Sequence, residues 1–174
     1  MAVERKHNPF ISSQAGGRAL STLQLPFFLL LPPAGYGVLT TTGRKTGKAR
    51  RRCVRAIRRD DKVYIVAIKG PSSWAKNAMA NPDVRLRLRG GRFKGRARML
   101  QEPERRQAEE AYCDTVTRFD YLTWMNWSKG RPTPIKIKGL LRGWFNDGLP
   151  LVVDLDIARP KPATYDDGGS TGSP

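Results

Sequence analysis

From Tyr36 onward the hydrophobic positions recur every second residue, in runs separated by turn-forming residues. Val38, Thr40 and Thr42 alternate with Gly37, Leu39 and Thr41, and the β-branched content predicts a strand. Gly43-Arg44-Lys45-Thr46-Gly47 follows as a turn framed by two glycines. A second strand is predicted from Lys48 to Arg59. Asp60-Asp61 is read as a two-residue hairpin turn, because Asp tolerates the positive φ that tight hairpins need. A third, strongly β-forming strand runs from Val63 to Lys69 and is stopped by Gly70-Pro71. Ser72 or Ser73 then caps a short helix that carries Trp74, Asn77, Ala78 and Asn81 at helical spacing. Asn81-Pro82 closes it, since a residue before proline is pushed out of the α region.

The next hairpin has one apolar and one cationic face. Val84, Leu86 and Leu88 alternate with Arg85, Arg87 and Arg89; Phe93, Ala97 and Met99 alternate with Arg92, Lys94, Arg96 and Arg98. A two-residue Gly90-Gly91 loop would set Arg89 opposite Arg92, Arg87 opposite Lys94, Arg85 opposite Arg96 and Asp83 opposite Arg98. Like charges facing each other cost very roughly 0.2–1 kcal/mol per pair. Such a face suits an anionic partner better than bulk water.

Pro103 starts an amphipathic helix predicted to reach Phe119, with Glu102 and Glu104 at its N-terminus and Ala108, Ala111, Tyr112, Val116 and Phe119 as its buried stripe. Between Tyr121 and Phe145 aromatic and basic residues are mixed: Trp124, Trp127 and Trp144 stand among Lys129, Arg131, Lys136, Lys138 and Arg142. Leu149 to Leu155 restores strand alternation. Near the start, Leu25 to Leu31 is too short and too interrupted by proline to span a bilayer; it reads as a buried helix end or core segment, as the wall of an apolar substrate pocket, or as a surface that touches lipid. The expected organisation is an N-terminal helical, apolar segment over 1–35, a barrel domain over 36–157, and a disordered Pro/Gly/Ser-rich tail over 158–174. About six strands in hairpins with flanking helices make an α+β, mainly β fold, a small antiparallel barrel.

The chain has 174 residues, 39% of them hydrophobic, and a formal net charge of +17. One domain with one partner of opposite charge fits these values. Cys53 and Cys113 form no disulfide framework or metal-ligand cluster, and His7 is the single histidine. A histidine-based metal site and a Ser-His-Asp triad are therefore not expected. This points to a cofactor, or to no catalysis at all.

Three blocks in order carry a family resemblance: Leu39-Thr40-Thr41-Thr42-Gly43-Arg44-Lys45-Thr46-Gly47-Lys48; Val63 to Ala67 with Lys69-Gly70; and Trp74, Asn77, Asn81, Pro82 and Val84 in the pattern WxxNxxxNPxV. Asn8-Pro9-Phe10 and Leu149 to Val153 also fit. The chain resembles the deazaflavin-dependent nitroreductase family over roughly Asn8 to Leu155. The resemblance implies a split β-barrel and the coenzyme F420, whose flat ring, phosphodiester and oligoglutamate tail need an apolar slot and a cationic track. Gly43 and Gly47 would let backbone amides approach a phosphate. Arg44, Lys45, Thr46, Gly47, Lys48 and Arg50 are the expected anion-binding turn, with Arg51 and Arg52 extending it. By position in the family, the ring lies along Ala67, Ile68, Lys69 and Gly70, with Trp74 and Asn77 on the helix beyond.

The implied reaction is hydride transfer from the reduced deazaflavin to an apolar acceptor such as a quinone, enone, nitroaromatic or fatty-acid-like molecule. Tyr121 and Ser73 are candidate proton donors, with Ser72 as a rival. The loop between Lys69 and Trp74 is short, and Asp120 to Trp124 keeps only part of the family's tyrosine cluster, so the cofactor is better supported than a nitro substrate. FMN is the less favoured coenzyme, and the scarcity of histidine weakens haem. A nucleic-acid-binding barrel is disfavoured, because the Arg85–Arg98 face lacks an aromatic platform for stacking. A non-catalytic or membrane-associated binder of a lipid-like ligand is the other alternative. A cytoplasmic location is expected, with peripheral attachment to the inner face of an anionic membrane through Trp124 to Phe145. The sequence leaves monomer or dimer open.

Overall fold

Six strands form at the predicted places: β1 (Tyr36–Thr42), β2 (Ala49–Arg59), β3 (Lys62–Ala67), β4 (Asp83–Leu88), β5 (Gly91–Met99) and β6 (Leu149–Leu155). They pair antiparallel and close into a split β-barrel in the order β1-β2-β3-β6-β5-β4. The structure, a computed structural model, describes residues 23–68 and 72–157. Asn8-Pro9-Phe10, His7, Lys69, Gly70 and the tail over 158–174 lie outside the described residues. Among the described residues five helices flank the barrel: α1 (residues 23–30), α2 (Ser73–Ala80), α3 (Glu102–Asp114), α4 (Arg118–Trp127) and α5 (Pro134–Asp147).

Alternation along the strands separates two cores. Inward residues such as Leu39, Val54, Ile65, Leu86, Leu151 and Val153 fill the barrel, and Ala75 and Ala78 of α2 join that cluster. Outward residues Ile57, Tyr64, Val66 and Val152 pack instead against α3, α4 and α5, where Tyr112, Trp124, Leu141 and Phe145 are buried. Each fully buried side chain of this size contributes about 1.5–3 kcal/mol relative to exposure. A third, smaller cluster joins Phe28 of α1 to Tyr36 and Val38 of β1, with Phe119 at its edge.

One irregularity in the barrel positions the site. β2 pairs with β1 from Ala49 to Arg55 but with β3 only from Ala56 to Arg59. The β2–β3 pairing ends at Ala56 and Ile65, while Val66 and Ala67 continue along β6. Residues 50–55 therefore diverge from the end of β3, and a seam opens between them.

Several local expectations hold. Asp60 takes φ +50° in the β2–β3 turn, and Arg59 faces Lys62 across it. Helix α2 begins after Ser72 and ends at Asn81, although the Ser72 side chain makes no capping bond.

Three expectations are corrected. The β4–β5 register is shifted: Leu88 faces Gly91, so Arg89-Gly90 is the loop, and Arg87 faces Arg92, Arg85 faces Lys94 and Asp83 faces Arg96. Closure against β6 decides this, because Gly95 sits where an added Cβ would lie 2.3 Å from the Asp154 carbonyl oxygen. Arg98 is thereby freed from Asp83 and bonds Asp154 and Glu104. The helix expected from Pro103 to Phe119 is two helices. α3 ends at Asp114, and a Thr117–Asp120 capping box starts α4. Finally, Trp124, Trp144 and Phe145 are buried in the helical core rather than presented as an interfacial aromatic surface.

Candidate functional site

The seam between β2 and β3 opens into a cavity of about 1040 Å³. The diverging half of β2 supplies one wall through residues 50–55, and Val66 and Ile68 supply the facing one. α1, α4 and α5 cover the outside. The cavity has two chemically different parts. Arg44, Lys45, Thr46, Arg50, Arg51 and Arg52 make a cationic part, and Phe28, Trp74, Phe119, Trp127 and Trp144 supply aromatic wall.

The cationic turn is built locally and pinned from a distance. Gly47 adopts φ +65°, which a non-glycine residue would resist. The Gly43 amide donates to the Lys48 carbonyl at 2.9 Å, and the Gly47 amide donates to the Gly43 carbonyl at 2.8 Å. These two amides thus close the turn on itself instead of facing outward as the glycine spacing suggested. An anion held at this turn would meet its side chains rather than these two amides. Asn77 Oδ1 accepts from the Arg44 amide at 3.3 Å and from Arg44 Nη1 at 3.1 Å. Asn81, one helical turn on, donates to the Thr42 carbonyl at 3.4 Å. The two asparagines of the WxxNxxxN pattern therefore lie on one face of α2 and tie the turn to the helix.

Of the residues named from sequence, Arg44, Lys45, Thr46, Arg50, Ile68, Ser73, Trp74 and Asn77 line this cavity, as does Ser72. Gly47 and Lys48 belong to the same turn but are not on the wall. Ala67 is turned into the barrel core. Tyr121 packs half-buried against the helical core and is not on the wall; its neighbours Leu122 and Thr123 are.

Behind the cavity stands a buried polar network that the sequence reading missed. Arg55 Nε donates to Asp120 Oδ1 at 2.9 Å, and the two side chains are 3% and 1% exposed. Arg55 Nη1 donates to the Tyr112 carbonyl at 2.8 Å, and Nη2 reaches the Thr115 carbonyl. The Tyr36 hydroxyl donates to Asp120 Oδ1 at 2.7 Å. The Thr117 amide and hydroxyl donate to Asp120 Oδ2 at 2.7 and 2.9 Å. Burial would raise the Asp120 carboxyl, but the Arg55 hydrogen bond and charge outweigh it and hold the group below its usual range. Burial, then the Asp120 charge, pushes the Tyr36 hydroxyl well above the usual tyrosine value. Both Tyr36 and Arg55 contribute to the cavity wall. The Thr117-x-x-Asp120 spacing is a capping-box signature that could have been read from sequence; the partnership of Arg55 with Asp120 could not.

The site fits a ligand that is anionic at one end and flat and apolar at the other, which is the chemistry of a deazaflavin coenzyme. Residues 27–136 match the F420H(2)-dependent quinone reductase family, a stretch that runs from α1 through the cationic turn, α2 and α4 into the start of α5. No curated protein matches the chain. Among solved structures, a domain-swapped dimer is 22% identical over 78% of this chain and 91% of that one, with a TM-score of 0.49. An F420-H2 dependent reductase is 23% identical over 69% of this chain and 94% of that one, with a TM-score of 0.46. A FAD-binding protein of Mesorhizobium loti is 15% identical over 79% and 91%, with a TM-score of 0.45. With more than half of its length matched, the chain belongs to the F420H(2)-dependent quinone reductase family and is a reductase that depends on that coenzyme.

Proposed function

We propose that the chain binds F420 across the β2–β3 seam and serves hydride transfer to an apolar acceptor held in the aromatic part of the same cavity. The observation that carries this is the continuity of one cavity from the Arg44–Arg50 cations to Trp127 and Trp144. When bound, reduced F420 supplies the hydride. Arg44, Lys45 and Arg50 hold the phosphate and carboxylates by charge-assisted contacts, and Asn77 keeps Arg44 in place. Ile68 and Trp74 flank the ring. Phe28, Phe119, Trp127 and Trp144 exclude water and hold the acceptor near the ring. Ser73 stands on the wall and is the better placed of the two named proton donors; Tyr121 would need α4 to shift.

Side-by-side titrations with F420 and FMN, read by tryptophan emission, test this reading. F420 is expected to bind more tightly, and more weakly as salt rises, because Trp74 lies on the wall and the turn is exposed to screening. Equal affinity for the two coenzymes would count against it.

The acceptor would be lipid-soluble and reach the cavity from a cytoplasmic membrane face. What supports this is a set of exposed apolar residues beside the cavity: Leu23, Phe27, Leu30 and Leu31 at α1, with Leu122 and Met125 on α4. Arg87 Nε donates to the Leu29 carbonyl at 3.4 Å, so the cationic β4–β5 face adjoins this apolar one. Among the described residues no helix is long and apolar enough to cross a membrane. Co-sedimentation with anionic vesicles at low salt, and not with zwitterionic ones, is the expected result; a protein that stays in solution with both is not membrane-attached.

A further inference from the structure

A smaller cavity lies at the opposite end of the β1–β2 hairpin from the cationic turn. The turn joins Thr42 to Ala49, whereas β1 begins at the far end with Tyr36, opposite Arg55. The Ala56 amide donates to the Gly35 carbonyl at 2.8 Å, and β2 then runs on to Arg59 with no β1 residue beside it. On the other side of β1, β4 continues past the Arg87–Val38 pair into the Arg89-Gly90 loop. Two strands that outlast the one between them leave a notch of about 250 Å³. Among the described residues, Tyr36 is the one lining residue that it shares with the large cavity.

The notch has a buried apolar floor of Ala56, Ile57 and Leu88 and a cationic rim of Arg58, Arg59 and Arg89. Among the described residues, no carboxylate lines it. Neutral groups orient two of the three guanidiniums. Arg58 stacks over the Phe93 ring at 4.5 Å, and its Nε donates to the Asp60 carbonyl at 3.0 Å. Arg58 Nη1 lies 3.9 Å from where a Cβ on Gly90 would stand, so this guanidinium adjoins the Arg89-Gly90 loop. Arg59 Nη2 donates to the Thr115 hydroxyl at 2.7 Å. Among the described residues none of the three arginines forms an ion pair, with Asp60 and Asp61 of the adjoining turn or with any other carboxylate. Carbonyl, hydroxyl and ring contacts fix direction but leave the charge uncompensated. Like charges gathered at one notch repel each other, and an ordinary surface would mix its signs. The planar fork of a guanidinium matches the oxygens of a phosphate.

We propose that this notch binds a compact free oxyanion that carries a phosphate group. The space between two strand ends admits a small anion and excludes a duplex or a flat membrane. A phosphate monoester carries about −1.5 to −2 charges at neutral pH, enough to offset more than one guanidinium, whereas a monocarboxylate offsets one. The site is separate from the coenzyme cavity and does not rest on the function proposed for it.

The test is a titration of the nitrogen-15-labelled full chain at neutral pH and constant ionic strength, followed amide by amide by NMR. The probes are inorganic phosphate and acetate. The amides of Arg59, Arg89 and Gly90 are expected to shift and saturate with phosphate, and to need on the order of tenfold more acetate. Arg89→Gln is expected to raise the phosphate dissociation constant on the order of tenfold, the ratio for one charge-assisted bond. Arg89 is exposed, so its melting temperature should stay that of wild type. Lys45→Ala, at the other end of the hairpin, should leave phosphate binding at these amides unchanged. Shifts that never saturate, that need no more acetate than phosphate, that survive Arg89→Gln or that vanish in Lys45→Ala would overturn the proposal. So would saturation by anionic vesicles or single-stranded DNA but not by phosphate. Phosphate shifts confined to Gly43–Lys48 refute the notch and leave the coenzyme turn standing. Saturation at Gly90 in a chain that fails to bind F420 keeps the notch and removes the proposed function.

Discussion

Two clusters of charge hold helices against the barrel, and they are built on opposite principles. Arg55 and Asp120 are almost wholly buried, and their remaining hydrogen-bonding capacity goes to Tyr36, Thr117 and main-chain carbonyls. The other cluster lies near the surface on the wall made by β3, β5 and β6. There Glu104 of α3 accepts from Lys62 at 2.6 Å and from Arg98 at 2.6 Å, and Arg98 also reaches Asp154 at 2.6 Å. These four side chains are 22–42% exposed. Two cations and two anions within reach of water can lose a member and be rehydrated. A buried pair cannot, because the surviving charge keeps its desolvation cost without the partner that offset it. The buried pair also stands behind the cavity, so damage to it reaches the site, whereas the surface cluster only fastens the start of α3.

The largest expected effect is therefore Arg55→Met, which strands Asp120. It should destabilise the fold by about 3–5 kcal/mol in chemical denaturation and weaken ligand binding with it. A loss no greater than that of a surface pair would mean that water reaches Asp120, and the contrast between the clusters would collapse.

Acid should attack both clusters through their carboxylates. Glu104 is held down to about 2, chiefly by its hydrogen bonds to Arg98 and then Lys62, and Asp120 is also held below its usual value. Unfolded carboxyls titrate near about 4. A depressed folded value means that the stabilisation is fully present above that pH and is lost as pH falls toward 2. Melting temperature followed from pH 6 down should decline in that window. Glu104→Gln should remove part of the slope and leave the part due to Asp120.

At neutral pH Glu104→Gln itself should cost only about 1 kcal/mol, and less at high salt. A cost as large as that of Arg55→Met would show the exposed cluster to be a structural keystone. The smallest stability effect is expected for Lys45→Ala in the exposed turn, within about 0.5 kcal/mol, alongside clearly weaker F420 binding. Melting and titration on the same sample separate the two; a large fall in melting temperature with unchanged affinity would make the turn structural.

Much of the barrel was legible because strand signals are local. The bounds of β1 and β6, the Asp60 turn and the end of α2 at Asn81 each depend on alternation, on a residue that tolerates positive φ, or on proline. The cationic turn was legible for the same reason, since Gly43 to Lys48 fold largely onto themselves. Thr46 and Asn77 were placed at the site by family pattern, and both line the cavity. Ala67 was placed there in the same way and Tyr121 as a candidate proton donor that no motif fixed, but neither side chain is on the cavity wall.

What the sequence by itself determined was the set of elements, the surplus of positive charge, and the presence of a cationic turn ahead of an aromatic helix. Only the tertiary structure decided which residues meet. Arg55 and Asp120 are 65 positions apart, and no local pattern pairs them. The β4–β5 register follows from the approach of Gly95 to β6, which a hairpin read alone does not contain. The cavity exists because β2 pairs with β3 only from Ala56 onward, leaving residues 50–55 apart from the end of β3. Propensity and turn chemistry act over a few residues. Burial, closure and the satisfaction of polar groups are properties of the whole packed chain.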